Sequence, residues 1–76
     1  MSARTFAYTP SPVAQKDIAE CFRRTAAIWR DSARNWRSLA AKMPEAMKFI
    51  ALGHAERDDI LAAADVLRAK SIEDQL

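Results

Sequence analysis

Between residues 19 and 43 the chain repeats one pattern four times: "AECF", "AAIW", "ARNW" and "AAKM". Each block opens on alanine, closes on a bulky apolar side chain and starts seven residues after the last. Two lines result, Ala19, Ala26, Ala33, Ala40 and Phe22, Trp29, Trp36, Met43, with a third beside them at Ile18, Thr25, Ser32 and Leu39. At about 100° per residue these lines lie side by side on one helical face. A small-residue line next to a bulky one lets a second helix approach closely while large side chains interdigitate. A strict seven-residue period holds such a seam only if the helix supercoils left-handedly. The pattern predicts a helix built for packing against another.

Punctuation in the sequence places the ends. Ser11 followed by Pro12 is a good N-cap and first-turn pair, and neither glycine nor proline follows until Pro44 inside the proposed helix. The first helix is therefore expected over about 12–43. Pro44 biases Met43 away from helical geometry and is comfortable at the start of a new helix. A tight turn at 43–45 and a second helix over about 45–69 follow, with 71–76 as a frayed tail and 1–11 as an extended arm. The competing arrangement is one long helix kinked at Pro44. The second helix shows an apolar stripe of Phe49, Ile50, Gly53, Ile60, Ala63, Ala64 and Leu67, widened by Met47, Leu52, Leu61 and Val66. With the turn near 44, antiparallel pairing puts Trp36 opposite Leu52 and Gly53, and Trp29 opposite Asp59 and Ile60. Gly53 would then be the hole for an indole, offsetting the roughly 1 kcal/mol that a mid-helix glycine costs.

Composition supports an all-α reading and limits its size. The chain has 76 residues, half of them hydrophobic, and one glycine. That is too apolar for a disordered segment, too poor in turn residues for a β fold, and long enough for one domain, the hairpin at 12–70. Two helices alone bury too little for a sound core. The apolar arc also exceeds what one partner helix covers. The expected fold is an antiparallel two-helix hairpin that pairs with a second hairpin into a four-helix bundle, or docks on a larger protein. Phe22, Trp29, Trp36, Ile60 and Leu67 are the expected interface.

Charge is uneven although the net is only +2. Lys16, Arg23, Arg24, Arg30, Arg34, Arg37 and Lys42 outweigh Asp17, Glu20 and Asp31 in the first helix. From Glu45 onward acids outnumber bases seven to four. The halves are complementary, which favours folding back. Lys16, Arg23, Arg30 and Arg37 recur every seven residues, with Arg34 nearby, as a stripe beside the alanines. Such a stripe can track a polyanion backbone or meet an acidic protein face. The simpler reading is solvation, or pairing with acids of the second helix.

Other chemistry is thin. His54 and Asp58, one turn apart, are the start of a metal pair, but Cys21 and Glu20 belong to the far end of an antiparallel hairpin. No Cys–His or Ser–His pair suggests a nucleophilic enzyme. The expectation is no catalytic residue, no cofactor and no metal. Cys21 reads as a buried, inert thiol at the seam's edge. A lone cysteine, no signal-like apolar run and no 20-residue apolar span point to a cytoplasmic protein without a membrane role. Phe6 and Tyr8 suggest that the arm docks, on its own bundle or on a partner. The function expected is that of a small non-enzymatic interaction protein: adaptor, inhibitor or accessory subunit, and a homodimer. The alternatives are a nucleic-acid-binding hairpin dimer using the basic stripe and, more weakly, a metal-binding or redox helical protein.

Overall fold

A computed structural model describes residues 11–76; the predicted arm, with Phe6 and Tyr8, lies outside them apart from Ser11. The described chain is all-helical: α1, Pro12–Ala40, a single 3-10 turn, Glu45–Met47, and α2, Lys48–Asp74. The two long helices pack against each other, antiparallel, as a hairpin turning at Pro44. At the start of α1 the Ser11 hydroxyl accepts the Ala14 N–H at 3.2 Å, with Pro12 in the first turn. This is the cap that the Ser-Pro pair predicts.

α1 ends three residues before the expected Met43. Pro44 is the cause. The carbonyl of Ala40 would accept the N–H four residues on, and proline has none. The chain tightens instead: Lys42 N–H donates to Leu39 and Met43 N–H to Ala40. Pro44 then stands extended, with ψ at 147°, and its carbonyl accepts the Met47 N–H at 2.9 Å to start the next turn. At the other end α2 outruns the expected boundary at 69, and 71–74 are helical rather than frayed. No breaker interrupts "SIED", and Glu73 is held by a bidentate bond from Arg23 of α1, at 2.5 and 2.9 Å.

The seam differs from expectation on both helices. On α1 its centre is the alanine line: Ala19, Ala26, Ala33 and Ala40 are at most 3% exposed. Phe22, Trp29 and Trp36 flank it and are only half-buried. On α2 the buried positions are Ala51, Ala55, Ala62 and Ala69, with Asp58 and Asp65 between them. The expected stripe of Phe49, Ile60 and Leu67 is turned away from α1. Two facing lines of methyl groups bring the helix backbones close, and at that spacing size decides which residue fits the centre. The aromatics are too large for it and wrap the flank.

The pairing register is within two residues of expectation. The register-setting contacts are Ser32 with Asp58 and Trp36 with His54. That small shift removes the supposed role of Gly53. Trp36 stacks on His54, with ring centroids 4.4 Å apart. A Cβ at Gly53 would meet nothing within 4 Å, so the glycine is not a hole for an indole.

Candidate interaction surfaces

Three surfaces surround the alanine seam. The first is the aromatic flank. By the 100° step, His54, Leu61 and Arg68 of α2 share the face that adjoins the Phe22, Trp29, Trp36 line of α1. Two of these side chains make identifiable contacts: His54 lies flat on Trp36, and the Arg68 guanidinium sits 6.0 Å from the Phe22 ring centroid. Arg68 also donates to Asp65 at 2.9 Å. Such a cation over a ring adds about 0.5–1 kcal/mol where water reaches it. The aromatics are thus covered on one side and open on the other. Beyond them on α1, Ile18, Ile28 and Leu39 are 40–65% exposed. Cys21 is exposed on this face too, correcting its expected burial, because the seam centre lies on the alanines rather than on the aromatic line.

Two shallow hollows indent this outer face. One, of about 270 Å³, is lined by Asp17, Ile18, Cys21, Phe22 and Thr25. The other, of about 320 Å³, is lined by Ser32, Asn35, Trp36 and Leu39.

The second surface is the basic flank. Arg23 binds Glu73, and Arg37 binds Asp59 on α2. Arg34 binds Asp31 on its own helix at 2.9 Å. The stripe is therefore largely engaged with the hairpin's own acids; among the described residues no ion pair involves Lys16 or Arg30. The Arg23 hydrogen bond holds the Glu73 carboxyl below the usual carboxylate range; desolvation opposes it, and the Arg23 charge adds a lesser lowering. The same bond and charge raise the Arg23 guanidinium above its ordinary value.

The third surface is the back of α2. Five residues beyond Ala55 and Ala62, Ile60 and Leu67 stand about 140° round the helix from the buried line, and they are 63% and 67% exposed. Phe49, near the turn, is exposed as well. The expected five-residue interface is thus divided. Phe22, Trp29 and Trp36 share the aromatic flank, while Ile60 and Leu67 form part of a separate face.

One polar site was not anticipated. Asp58 is fully buried in the seam, and its Oδ2 accepts the Ser32 hydroxyl at 2.5 Å. Its Oδ1 has no hydrogen bond; the Arg57 guanidinium is 3.5 Å away without suitable geometry. Asp65 repeats the position one heptad later and is 6% exposed. The signal was in the sequence. Ala55, Ala62 and Ala69 repeat every seven residues, and the companion line four residues earlier reads Ala51, Asp58, Asp65. His54 and Asp58 do not act together, since His54 faces Trp36 and Asp58 faces Ser32. Among the described residues, no three His, Cys, Asp or Glu side chains converge as metal ligands, and no helix is long and apolar enough to cross a membrane. The chain matches no protein-family model, no curated protein and no solved structure.

Proposed function

We propose that this chain is a small helical interaction protein without enzymatic activity, which acts by covering its apolar faces with a second copy of itself, a larger protein, or both. One observation carries the reading: the largest fully buried side chain among the described residues is an aspartate, Asp58. The big apolar side chains stand outside the seam, Phe49 at 70% and Leu67 at 67% exposure. A seam of eight alanine methyls removes little apolar surface, at about 0.8 kcal/mol per buried carbon. Contiguous apolar faces rimmed by charge are the usual mark of protein contact surfaces. Several polar side chains are committed to structure: His54 to Trp36, Asp58 to Ser32, and Arg23 and Arg37 to acids of α2. An adaptor, inhibitor or accessory subunit working inside the cell fits these features, and paired hairpins forming a four-helix bundle would cover the faces economically.

The test is whether the folded hairpin needs company. Dilution should lower its unfolding midpoint. The full chain captured from its native host should carry a stoichiometric protein partner or a second copy of itself. Replacing Ile60 and Leu67 by Glu together should release a heterologous partner without unfolding the hairpin. A chain that stays folded, monomeric and partnerless refutes the reading.

A further inference from the structure

We propose that residues 4–10, the arm ahead of α1, fold back along that helix and seat Phe6 in the hollow lined by Asp17, Ile18, Cys21, Phe22 and Thr25. The guest of this hollow is thus a segment of the same chain, whatever covers the remaining apolar faces. The hollow suits an apolar guest with one polar end. Ile18 is 40% exposed and Phe22 half-buried. The Thr25 hydroxyl already donates to the Cys21 carbonyl, at 2.9 Å. Asp17 is the one charged group in the lining, at the end nearest Ser11. No ion pair among the described residues involves it.

The arm has the pattern and the length. Pro10 and Pro12 keep Thr9 and Ser11 out of helical geometry, and Ser11 stands extended, with ψ at 159°. In an extended chain alternate side chains share a side, so Phe6 and Tyr8 fall together and Thr5, Ala7 and Thr9 fall opposite. Two residues of extended chain span about 7 Å, and one turn of helix, from Ile18 to Phe22, about 6 Å. Phe6 is five residues from Ser11, a reach of about 17 Å. Turning back at Pro10 uses part of it, which sets Phe6 over Ile18 and Cys21, about 11–15 Å along α1 from Ser11. Tyr8 then sits at the near lip, its hydroxyl within reach of the Asp17 carboxylate. Length also excludes the other apolar surfaces. The second hollow begins at Ser32, about 31 Å along α1, and the back of α2 lies across the hairpin. Covalent attachment presents the arm at an effective concentration of about millimolar, ahead of any free guest at micromolar concentration.

The single cysteine reports on the arm, because its thiol lines the hollow. In the full chain Cys21 should react with iodoacetamide about fivefold more slowly than in the Phe6→Ala variant, as for an arm docked roughly four-fifths of the time. The slowing should not depend on protein concentration, since arm and hollow belong to one chain. Phe6 stands outside the hairpin, so the variant should keep the far-ultraviolet circular dichroism of the unaltered chain. In the unaltered chain the Phe6 ring should show nuclear Overhauser contacts to the methyl groups of Ile18. Equal alkylation rates in the two chains, or no contact from Phe6 to Ile18 or Phe22, would overturn the proposal. Protection that grows with protein concentration would overturn it too, and would name a second copy as the guest. Dilution and capture read the need for a partner separately, so either reading can fail while the other stands.

Discussion

Removing the carboxyl of Asp58 should strengthen the hairpin, whereas removing the hydroxyl that binds it should weaken it. Ser32→Ala takes away the only hydrogen-bond donor to a fully buried carboxylate. A hydrogen bond to a charged group contributes about 1.5–3 kcal/mol, and its loss leaves the acceptor buried and unsatisfied. The expected cost is about 2–3 kcal/mol. Asp58→Ala loses the same bond but also relieves the burial of a charge. Exchanging buried ionic groups for well-packed apolar ones often gains about 1–4 kcal/mol. Alanine adds roughly 0.5 kcal/mol of helix propensity over aspartate and continues the line of Ala51 on α2. The freed Ser32 hydroxyl can turn to the carbonyl of Ile28, one turn back on α1. The expected gain is about 1–2 kcal/mol. Urea unfolding followed by far-ultraviolet circular dichroism, at one fixed protein concentration, measures both. The double variant should unfold close to Asp58→Ala alone, because the hydroxyl matters only through the carboxylate. If Asp58→Ala loses more stability than Ser32→Ala, the carboxylate is a net stabiliser of the seam and this reasoning fails.

Gly53→Ala should raise stability by about 1 kcal/mol, since the added methyl meets open space in a regular helix; a lower melting temperature would mean that the site is tightly covered in the assembly. Ala33→Leu should overpack the seam and cost about 1–3 kcal/mol, or more if the helices cannot part, and a raised urea midpoint would show that the alanine lines are not in close contact. For Glu73, the depressed carboxyl contributes stability that is present above its unfolded value and lost as pH falls through its lower folded value. The melting-temperature advantage of the native chain over Glu73→Gln should therefore shrink on acidification below about pH 5; an advantage that persists undiminished in acid would show that the Arg23 bond does not form in solution.

The hairpin was legible in the sequence because its determinants are local. Ser11 and Pro12 start α1, Pro44 removes the N–H that would continue it, and the alanine heptads mark one packing line. The face of α2 was not legible, because hydrophobic weight pointed the wrong way. Phe49, Ile60 and Leu67 outweigh a line of alanines interrupted by Asp58 and Asp65, and the rule that apolar residues go inside presumes a core with room for them. In a two-helix seam the narrow gap admits methyl groups and, with a hydroxyl to meet it, a carboxylate. Centring the seam on the aromatic line instead of the alanines also buried Cys21, and a small register shift set Trp36 on His54 rather than on Gly53. The ion pairs from Arg23 and Arg37 to α2 were foreshadowed by the opposite charges of the two halves, although charge balance alone could not say which residues meet.

A line of alanines repeated every seven residues has translational symmetry. Slide α2 by one heptad along α1 and methyl again falls on methyl, so the seam itself scarcely distinguishes the native alignment from its neighbours. What breaks the degeneracy lies elsewhere: the short link between Ala40 and Lys48, and the asymmetric bonds of Ser32, Arg23 and Arg37. The link works as a ruler. Lengthen it and the helices are free to dock a heptad out of step, or to open and exchange α2 between copies, with each alanine line still satisfied. The spacer between the helices is where a small insertion would change the shape of everything built on them.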